Sequence, residues 1–393
     1  MSIIRKIKKW IRFATFYLMS WICSLIYPMK DNRVCFLSDV RTVMGGNLKC
    51  VYDYLEDKNF ERIIEFKADR RVRRSFQQKL KLIYHLATSR YILLDDFTNA
   101  ITFMKVRKGQ EIVQLWHGPG AFKKFGWSRA TNGENIGSIH RGYKKYTKAI
   151  VSGEGIRWCY AEAFSISEDR VKATGFPRTD SFFDQDFLQK TRDDFFKEFP
   201  HLKDKKIILF APTYRSTKVN DASYDFSKID FQAIYNQFYN QGYVFIIKWH
   251  PAIYNNMTMN VIKKPDLSLY KDFYYDFSEY RDINDLLIVC DTLITDYSSV
   301  IFDYVLLNKP IIYFTYDLDE YTGYGGRGLY FDFDEYVFGQ VVHKCDNLVD
   351  AISHNDLMEE KRKVFFDKFM GECDGYSTYK TCQWIFENNQ NIK

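Results

Sequence analysis

The sequence predicts an α/β protein of two Rossmann-like domains with parallel sheets, preceded by an N-terminal amphipathic helix. Three observations lead there. Short continuous apolar runs recur along the 393 residues in two series. Stretches with helical spacing of apolar residues lie between them. A polar, charged stretch over 180–206 separates the series. Continuous apolar runs between helical patterns read as parallel strands covered on both faces. The length suits two domains of ordinary size. Hydrophobic residues make up 46% and charged residues 27%, the balance of a globular chain rather than a disordered one.

The N-terminus comes first in order. Residues 1–30 carry basic side chains and no acid, within a net charge of only +6. Ile3, Ile4, Ile7, Trp10 and Ile11 share one face of a helical wheel, and Arg5, Lys8, Lys9 and Arg12 share another. From 13 to 27 the chain is almost wholly apolar, and Pro28 stops it. A spanning helix needs about 20 apolar residues, so the stretch is short for a membrane anchor. A signal peptide would need a small-x-small cleavage site, which is missing. An interfacial helix over 1–28 fits best, with cations at anionic headgroups and aromatics at the acyl boundary. It places the protein on the cytoplasmic face of the membrane as a peripheral protein. The eight cysteines lie far apart without metal-ligand spacing, which predicts free thiols.

The first series of expected strands covers 34–38, 63–66, 91–94, 112–115 and 149–152, with a helix over 76–87. The second covers 207–210, 244–247, 292–295 and 310–314, with helices over 231–240 and 300–307. Helices over 348–369 and 378–386 end the chain. The expected divisions are 1–30 for the membrane helix, 31–190 and 191–375 for the two domains, and 376–393 for a C-terminal helix.

In open parallel sheets ligands bind outside the carboxyl ends of strands. Four strand ends therefore carry the candidate chemistry: Trp116-His117-Gly118-Pro119-Gly120, Ala211-Pro212-Thr213-Tyr214-Arg215, Lys248-Trp249-His250-Pro251 and Asp296-Tyr297-Ser298-Ser299. A cleft between the domains would bring His117 and His250 face to face. The last segment opens a helix, whose free N–H groups and hydroxyls suit a phosphate. Ordinary N-capping by Ser298 or Asp296 is the bland alternative. Lys248, His250 and Arg327, the last in a Gly-rich loop over 323–328, add cationic donors for a diphosphate. His117, exposed by a Gly-Pro-Gly turn, could take a proton from a hydroxyl or could merely cap the turn. The glycines match neither the dinucleotide fingerprint nor a P-loop, which disfavours NAD chemistry and P-loop ATP hydrolysis. Basic residues also cluster at Arg70, Arg71, Arg73 and Arg74, at Lys123 and Lys124, and at Arg141, Lys144 and Lys145. No nucleic-acid module accompanies them, so no nucleic-acid partner is expected.

Several segments together resemble the CDP-glycerol glycerophosphotransferase family, which builds teichoic acids and related polyol-phosphate polymers. They are Gln114-Leu115-Trp116-His117-Gly118, Gly175-Phe176-Pro177-Arg178-Thr179-Asp180, the strand-end segments at 211–215 and 248–251, Thr295-Asp296-Tyr297-Ser298-Ser299, and Arg327 with Tyr330-Phe331-Asp332. The likeness runs over about 33–379. It implies a GT-B-like fold with the active site in an interdomain cleft. It implies transfer of glycerol phosphate or ribitol phosphate from a CDP-polyol donor to an undecaprenyl-linked acceptor, with release of CMP. It implies His117 as base on the acceptor hydroxyl. His250, Ser298, Ser299 and Arg327 would contact the donor diphosphate, and Asp296 would orient its loop. Gly118, Arg178, Thr213, Arg215, Lys248 and Pro251 are further expected substrate contacts. No cofactor or metal site is expected, although a divalent cation stays open. The chain departs from the family where acidic residues are usually followed by Pro-Gly-Pro, since it reads Asp334-Glu335-Tyr336-Val337-Phe338-Gly339-Gln340. Two alternatives share parts of this pattern: a GT-B glycosyltransferase using a nucleotide sugar, and a non-enzymatic membrane-bound module that binds polyanions.

Overall fold

The computed structural model describes residues 3–67, 69, 72–133, 141–216, 221–323, 328–387 and 389, and for residues 3–6, 8, 9 and 132 the backbone alone. Arg70, Arg71 and Arg327 lie outside the described residues, as do the side chains of Ile3, Ile4, Arg5, Lys8 and Lys9 on the expected helical wheel. The chain forms two compact units, one of Met1–Gly120, Phe125–Asp180 and Phe369–Lys393, the other of Ala121–Lys124 and Ser181–Lys368.

In the first unit, α1 (Ile3–Ile26) precedes β1 (Lys30–Ser38), α2 (Gly46–Tyr54), β2 (Glu61–Phe66), α3 (Phe76–Thr88), β3 (Ser89–Leu94), α4 (Asn99–Phe103), β4 (Glu111–Gln114), β5 (Lys148–Val151), α5 (Arg157–Phe164) and β6 (Val171–Ala173). The sheet is wholly parallel with order β2-β1-β3-β4-β5-β6. Its strand order reverses at β1/β3, the switch point where parallel sheets open a crevice. Val34, Phe36, Leu37, Ile92 and Leu93 are fully buried, as expected of strands covered on both faces. A capping box at Ser75 and Gln78 starts α3.

Helix α1 docks on this unit along one side. Phe13 stacks on Phe103 with centroids 3.6 Å apart. The Ser20 hydroxyl accepts from the Lys105 N–H at 2.9 Å, and Arg107 donates to the Tyr27 carbonyl at 2.7 Å. The opposite side leaves Trp10, Tyr17, Leu18, Trp21 and Leu25 exposed. Among the described residues no helix is long and apolar enough to cross a membrane.

The second unit contains α6 (Gln185–Glu198), β7 (Lys206–Phe210), α7 (Phe231–Phe238), β8 (Tyr243–Ile247), α8 (Pro251–Thr258), β9 (Tyr274–Asp276), α9 (Ile283–Val289), β10 (Thr292–Thr295), α10 (Val300–Tyr304), β11 (Ile311–Phe314), α11 (Leu318–Thr322), α12 (Phe333–Tyr336), β12 (Gln340–Val342), α13 (Cys345–Ser353) and α14 (Glu359–Phe369). Its parallel sheet has the order β12-β11-β10-β7-β8-β9, the dinucleotide-domain order with its switch point at β7/β10. Trp249, Phe210 and Phe238 anchor the core on one side of this sheet. The stretch at 180–206, read from sequence as a junction, is largely helix α6, capped by Asp184 and packed on α9. The helix expected over 348–369 is two helices, α13 and α14.

The last helix, α15 (Ser377–Phe386), belongs to the first unit rather than standing apart. The Asp180 carboxylate accepts the N–H groups of Ser377 and Thr378, each at 2.8 Å, and so caps α15. Such a cap is worth about 1 kcal/mol. Phe386 packs against Phe60 and Tyr91. Gly175 sits at φ +77°, and a Cβ there would lie 2.4 Å from the Glu372 carbonyl. The Gly-Phe-Pro-Arg-Thr-Asp segment is thus the seat of the C-terminal helix. All eight cysteines are free thiols.

Candidate active site

In the first unit the polypeptide leaves β4 and turns sharply. Trp116 takes φ 54°, a left-handed conformation that costs a bulky residue about 1–3 kcal/mol. The surroundings hold it there. The Gln114 side-chain oxygen accepts the Trp116 N–H at 2.9 Å. Asn47, buried and just before Leu48 in α2, donates to the carbonyls of Leu115 and Trp116 at 2.9 and 3.0 Å. Its own oxygen accepts the Arg178 N–H at 3.0 Å. The Trp116 ring stacks on His117 and on Phe125. Beyond His117, Tyr160 donates to the carbonyl of Gly120 at 2.8 Å, and Ser152 accepts the Gly120 N–H at 2.9 Å.

This turn presents His117 as an exposed side chain. Its Nδ1 lies 3.1 Å from the Asp95 backbone carbonyl. A carbonyl only accepts, so Nδ1 carries the proton and Nε2 keeps its lone pair. Asp95 follows β3, next to the switch point, and its buried carboxylate pairs with Arg41. The Arg178 Nε donates to the His117 carbonyl at 3.3 Å. A Cβ on Gly118 would meet nothing within 4 Å, so the structure itself does not require glycine there.

In the second unit the switch point between β7 and β10 is filled by a buried ionic cluster. Both oxygens of Asp296 accept the Thr213 N–H, at 2.9 and 3.1 Å. Arg215 donates to Asp296 at 2.7 Å and to the Thr213 carbonyl at 2.9 Å, and it grips Asp317 with two further nitrogens. Four of its five N–H donors are therefore spent inside the protein. The rings of Tyr224, Tyr297, Tyr316 and Tyr321 surround the guanidinium at 5.1–5.4 Å. Burial opposes the charge of Arg215, and Asp296 and Asp317 more than restore it, holding its pKa above the ordinary value. Burial pushes the Asp296 carboxyl above its ordinary range against the pull of Arg215. Asp296 holds the loop after β7 through the Thr213 N–H, and Arg215 is its counter-ion.

His250 is the N-cap of α8, its Nδ1 accepting the Ala252 N–H at 3.1 Å, with Pro251 in the first helical turn. Nδ1 is then the unprotonated nitrogen and Nε2 carries a hydrogen, the reverse of His117. Lys248 donates to the Ser278 carbonyl at 2.9 Å and also to that of Tyr280. Burial lowers its pKa, and Asp276 opposes the shift. Ser299 heads α10 without a side-chain cap, and Ser298 accepts the Val300 N–H at 3.5 Å, so neither hydroxyl is consumed by strong capping. The Lys123 amine reaches the Thr213 hydroxyl at 3.3 Å.

Asn47, Asp95, Asp317 and Lys123 were not among the sequence candidates. Asp95 directly follows β3 and Asp317 follows β11 by three residues. Extending the strand-end rule to those two strands finds both. Asn47 and Lys123 carry no such signal. Asn47→Ala strips three hydrogen bonds from a buried site. It is expected to lower the unfolding free energy by about 2–3 kcal/mol, read by urea denaturation.

Comparison with known proteins places these features. The family model for CDP-glycerol:poly(glycerophosphate) glycerophosphotransferase matches residues 16–387. The teichoic acid poly(ribitol-phosphate) polymerase of Bacillus spizizenii is 39% identical over 362 residues, covering 92% of this chain and 57% of its own. The chain thus spans little more than half the length of that relative. The teichoic acid ribitol-phosphate primase of the same organism is 30% identical over 374 residues, covering 93% of each chain. The solved structure of the wall teichoic acid polymerase TagF superposes with a TM-score of 0.71 at 23% identity, over 99% of this chain and 98% of that one, a likeness of fold. With a model matched from 16 to 387 and relatives at 30–39% identity, the chain belongs to the CDP-glycerol:poly(glycerophosphate) glycerophosphotransferase family.

Proposed function

We propose that this chain transfers a polyol phosphate from a CDP-polyol to a hydroxyl of a lipid-linked acceptor. The acceptor oxygen attacks the phosphorus that bears the polyol. The bond from that phosphorus to the bridging oxygen breaks, and CMP leaves with the oxygen. Nε2 of His117 takes the hydroxyl proton. The observation that carries this reading is the hydrogen bond from His117 Nδ1 to the Asp95 carbonyl, which leaves the lone pair on the far nitrogen of an exposed ring. Positioning and charge neutralisation supply most of the catalysis in phosphoryl transfer.

On the donor side, the Nε2–H of His250, the hydroxyls of Ser298 and Ser299, and Arg327 are the proposed contacts for the diphosphate. Gly118 allows a ligand to approach the backbone closely. Arg178, Thr213, Arg215, Lys248 and Pro251 are further proposed substrate contacts. Both curated relatives described above carry ribitol phosphate in their names, which favours CDP-ribitol over CDP-glycerol.

The exposed apolar side of α1 is the proposed membrane contact, on the cytoplasmic face. Trp10 is 71% and Leu25 66% exposed, an apolar load that an aqueous surface does not favour.

The test is a donor screen with a defined lipid acceptor. CDP-ribitol and CDP-glycerol are expected to yield CMP, with CDP-ribitol the faster, and UDP-sugars to stay intact. Turnover of a UDP-sugar with none of either CDP-polyol would replace this reading with a glycosyltransferase.

A further inference from the structure

Between α1, α3 and α4 the first unit contains a pocket of about 940 Å³, near the upper end of the roughly 300–1,000 Å³ usual for ligand sites. Its lining is divided by chemistry. Phe13, Phe16, Met19, Leu80, Ile83 and Phe103 form an apolar wall. Arg12, Lys67, Arg73, Arg74, Lys79 and Arg141 also line it, against Asp39 as the sole acid among the lining residues. That carboxylate is already neutralised, with Arg74 at 2.5 Å and Lys67 at 3.7 Å. Among the described residues no carboxylate pairs with Arg12, Arg73, Lys79 or Arg141. Among the described residues the buried Thr102 hydroxyl on the same lining has no hydrogen-bond partner.

A concave site with apolar walls and cations that no described carboxylate pairs fits neither a purely apolar ligand nor a free nucleotide. The first would leave four cations facing hydrocarbon, and the second would leave the phenylalanines unmatched. We propose that this pocket holds a single lipid phosphate. Its phosphate or diphosphate head lies among Arg12, Arg73, Lys79 and Arg141, and the first part of its one apolar chain lies along Phe13, Phe16, Met19 and Phe103. The pocket-lining Arg12, Thr15, Phe16 and Met19 are on the side of α1 away from the exposed Trp10, Tyr17, Trp21 and Leu25. A helix lying on a bilayer by its apolar side would therefore keep the pocket on its protein side, where the head of a lipid drawn from the membrane can be held. The proposal rests on the lipid-linked acceptor of the transferase reading and assigns that lipid's phosphate a seat away from the His117 turn.

The test is a calorimetric titration of the full chain with farnesyl diphosphate below its aggregation concentration, without donor. Inorganic diphosphate and farnesol are titrated in parallel. Farnesyl diphosphate is expected to bind at least tenfold more tightly than either half. Arg73→Glu/Lys79→Glu, which reverses charge at the rim, and Ala100→Trp, which fills the cavity without changing charge, are each expected to weaken it at least tenfold. Both variants should retain wild-type CMP release with a soluble acceptor that lacks the lipid. Equal binding of inorganic and farnesyl diphosphate would reduce the pocket to a charged surface and overturn the proposal. So would wild-type affinity in both variants, including the case where they lose binding only to anionic vesicles. Absence of CMP release by the unaltered chain would instead overturn the transferase reading and leave the binding result intact.

Discussion

His117→Ala is expected to lower CMP release from a CDP-polyol by about 10²–10⁴-fold, the usual worth of a positioned general base. Donor affinity should change little, because the proposed donor contacts belong to other strand ends. The expectation follows from how the ring is held. Its Nδ1 proton is committed to the Asp95 carbonyl, and its neighbour Trp116 is locked in a left-handed turn by Gln114 and Asn47. A protein that spends this much on one turn positions the residue it presents. His117→Gln is a sharper probe, since it keeps a polar side chain of similar reach and removes the base. Equilibrium binding of donor and single-turnover CMP release separate the two effects. Activity near wild type in both variants would remove His117 from the chemistry.

The second large effect is on stability. Arg215→Met is expected to cost about 3–5 kcal/mol, because it leaves two carboxylates without their counter-ion in a site where Asp296 is 1% exposed. For a unit of this size that corresponds to a fall of about 6–20 °C in the melting temperature. The pH dependence gives the cause. Burial already raises the Asp296 carboxyl, and loss of Arg215 raises it further. A carboxyl raised in the folded state contributes stability below its unfolded pKa and loses it as pH rises through the folded value. The deficit of the variant should therefore be largest at neutral pH and shrink as the solution is acidified. A deficit that does not change with pH would assign the loss to packing in the tyrosine cage instead.

The parts legible in the sequence are those buried on both sides. The runs at 34–38, 91–94, 207–210, 244–247 and 292–295 are continuous and apolar because helices cover both faces of their strands. They led to the α/β class and to two doubly wound sheets. The strands missed, Val171–Ala173, Tyr274–Asp276 and Gln340–Val342, are three-residue edge strands. Three residues leave no periodicity to read, and an edge strand needs no continuous apolar run. The polar stretch at 180–206 read as a linker because α6 shows only Phe195 fully to the core.

The candidate site was legible where a polar residue follows a strand, as with His117, His250 and Asp296. What could not be read was which of two bland or functional parts each would take. His250, expected at the diphosphate, also caps a helix through Nδ1, whereas the Nδ1 of His117 bonds the Asp95 carbonyl. Arg215 and Asp180 sit in motif segments, and their partners are the Asp296 and Asp317 carboxylates for one and the start of α15, 197 residues away, for the other. Partners that distant leave no local trace. Asn47 shows the same limit, since its importance depends on three backbone groups from two remote segments.

The central claim is that this chain moves a polyol phosphate, and one measurement tests it most directly. The purified chain is incubated with CDP-ribitol or CDP-glycerol and a defined lipid-linked acceptor, and the lipid product is weighed by mass spectrometry while CMP is counted. The account predicts a mass gain of one or more whole polyol-phosphate units, with one CMP for each unit added and no gain in His117→Ala. An acceptor of unchanged mass, or one that gains a sugar from a nucleotide-sugar donor, would contradict it.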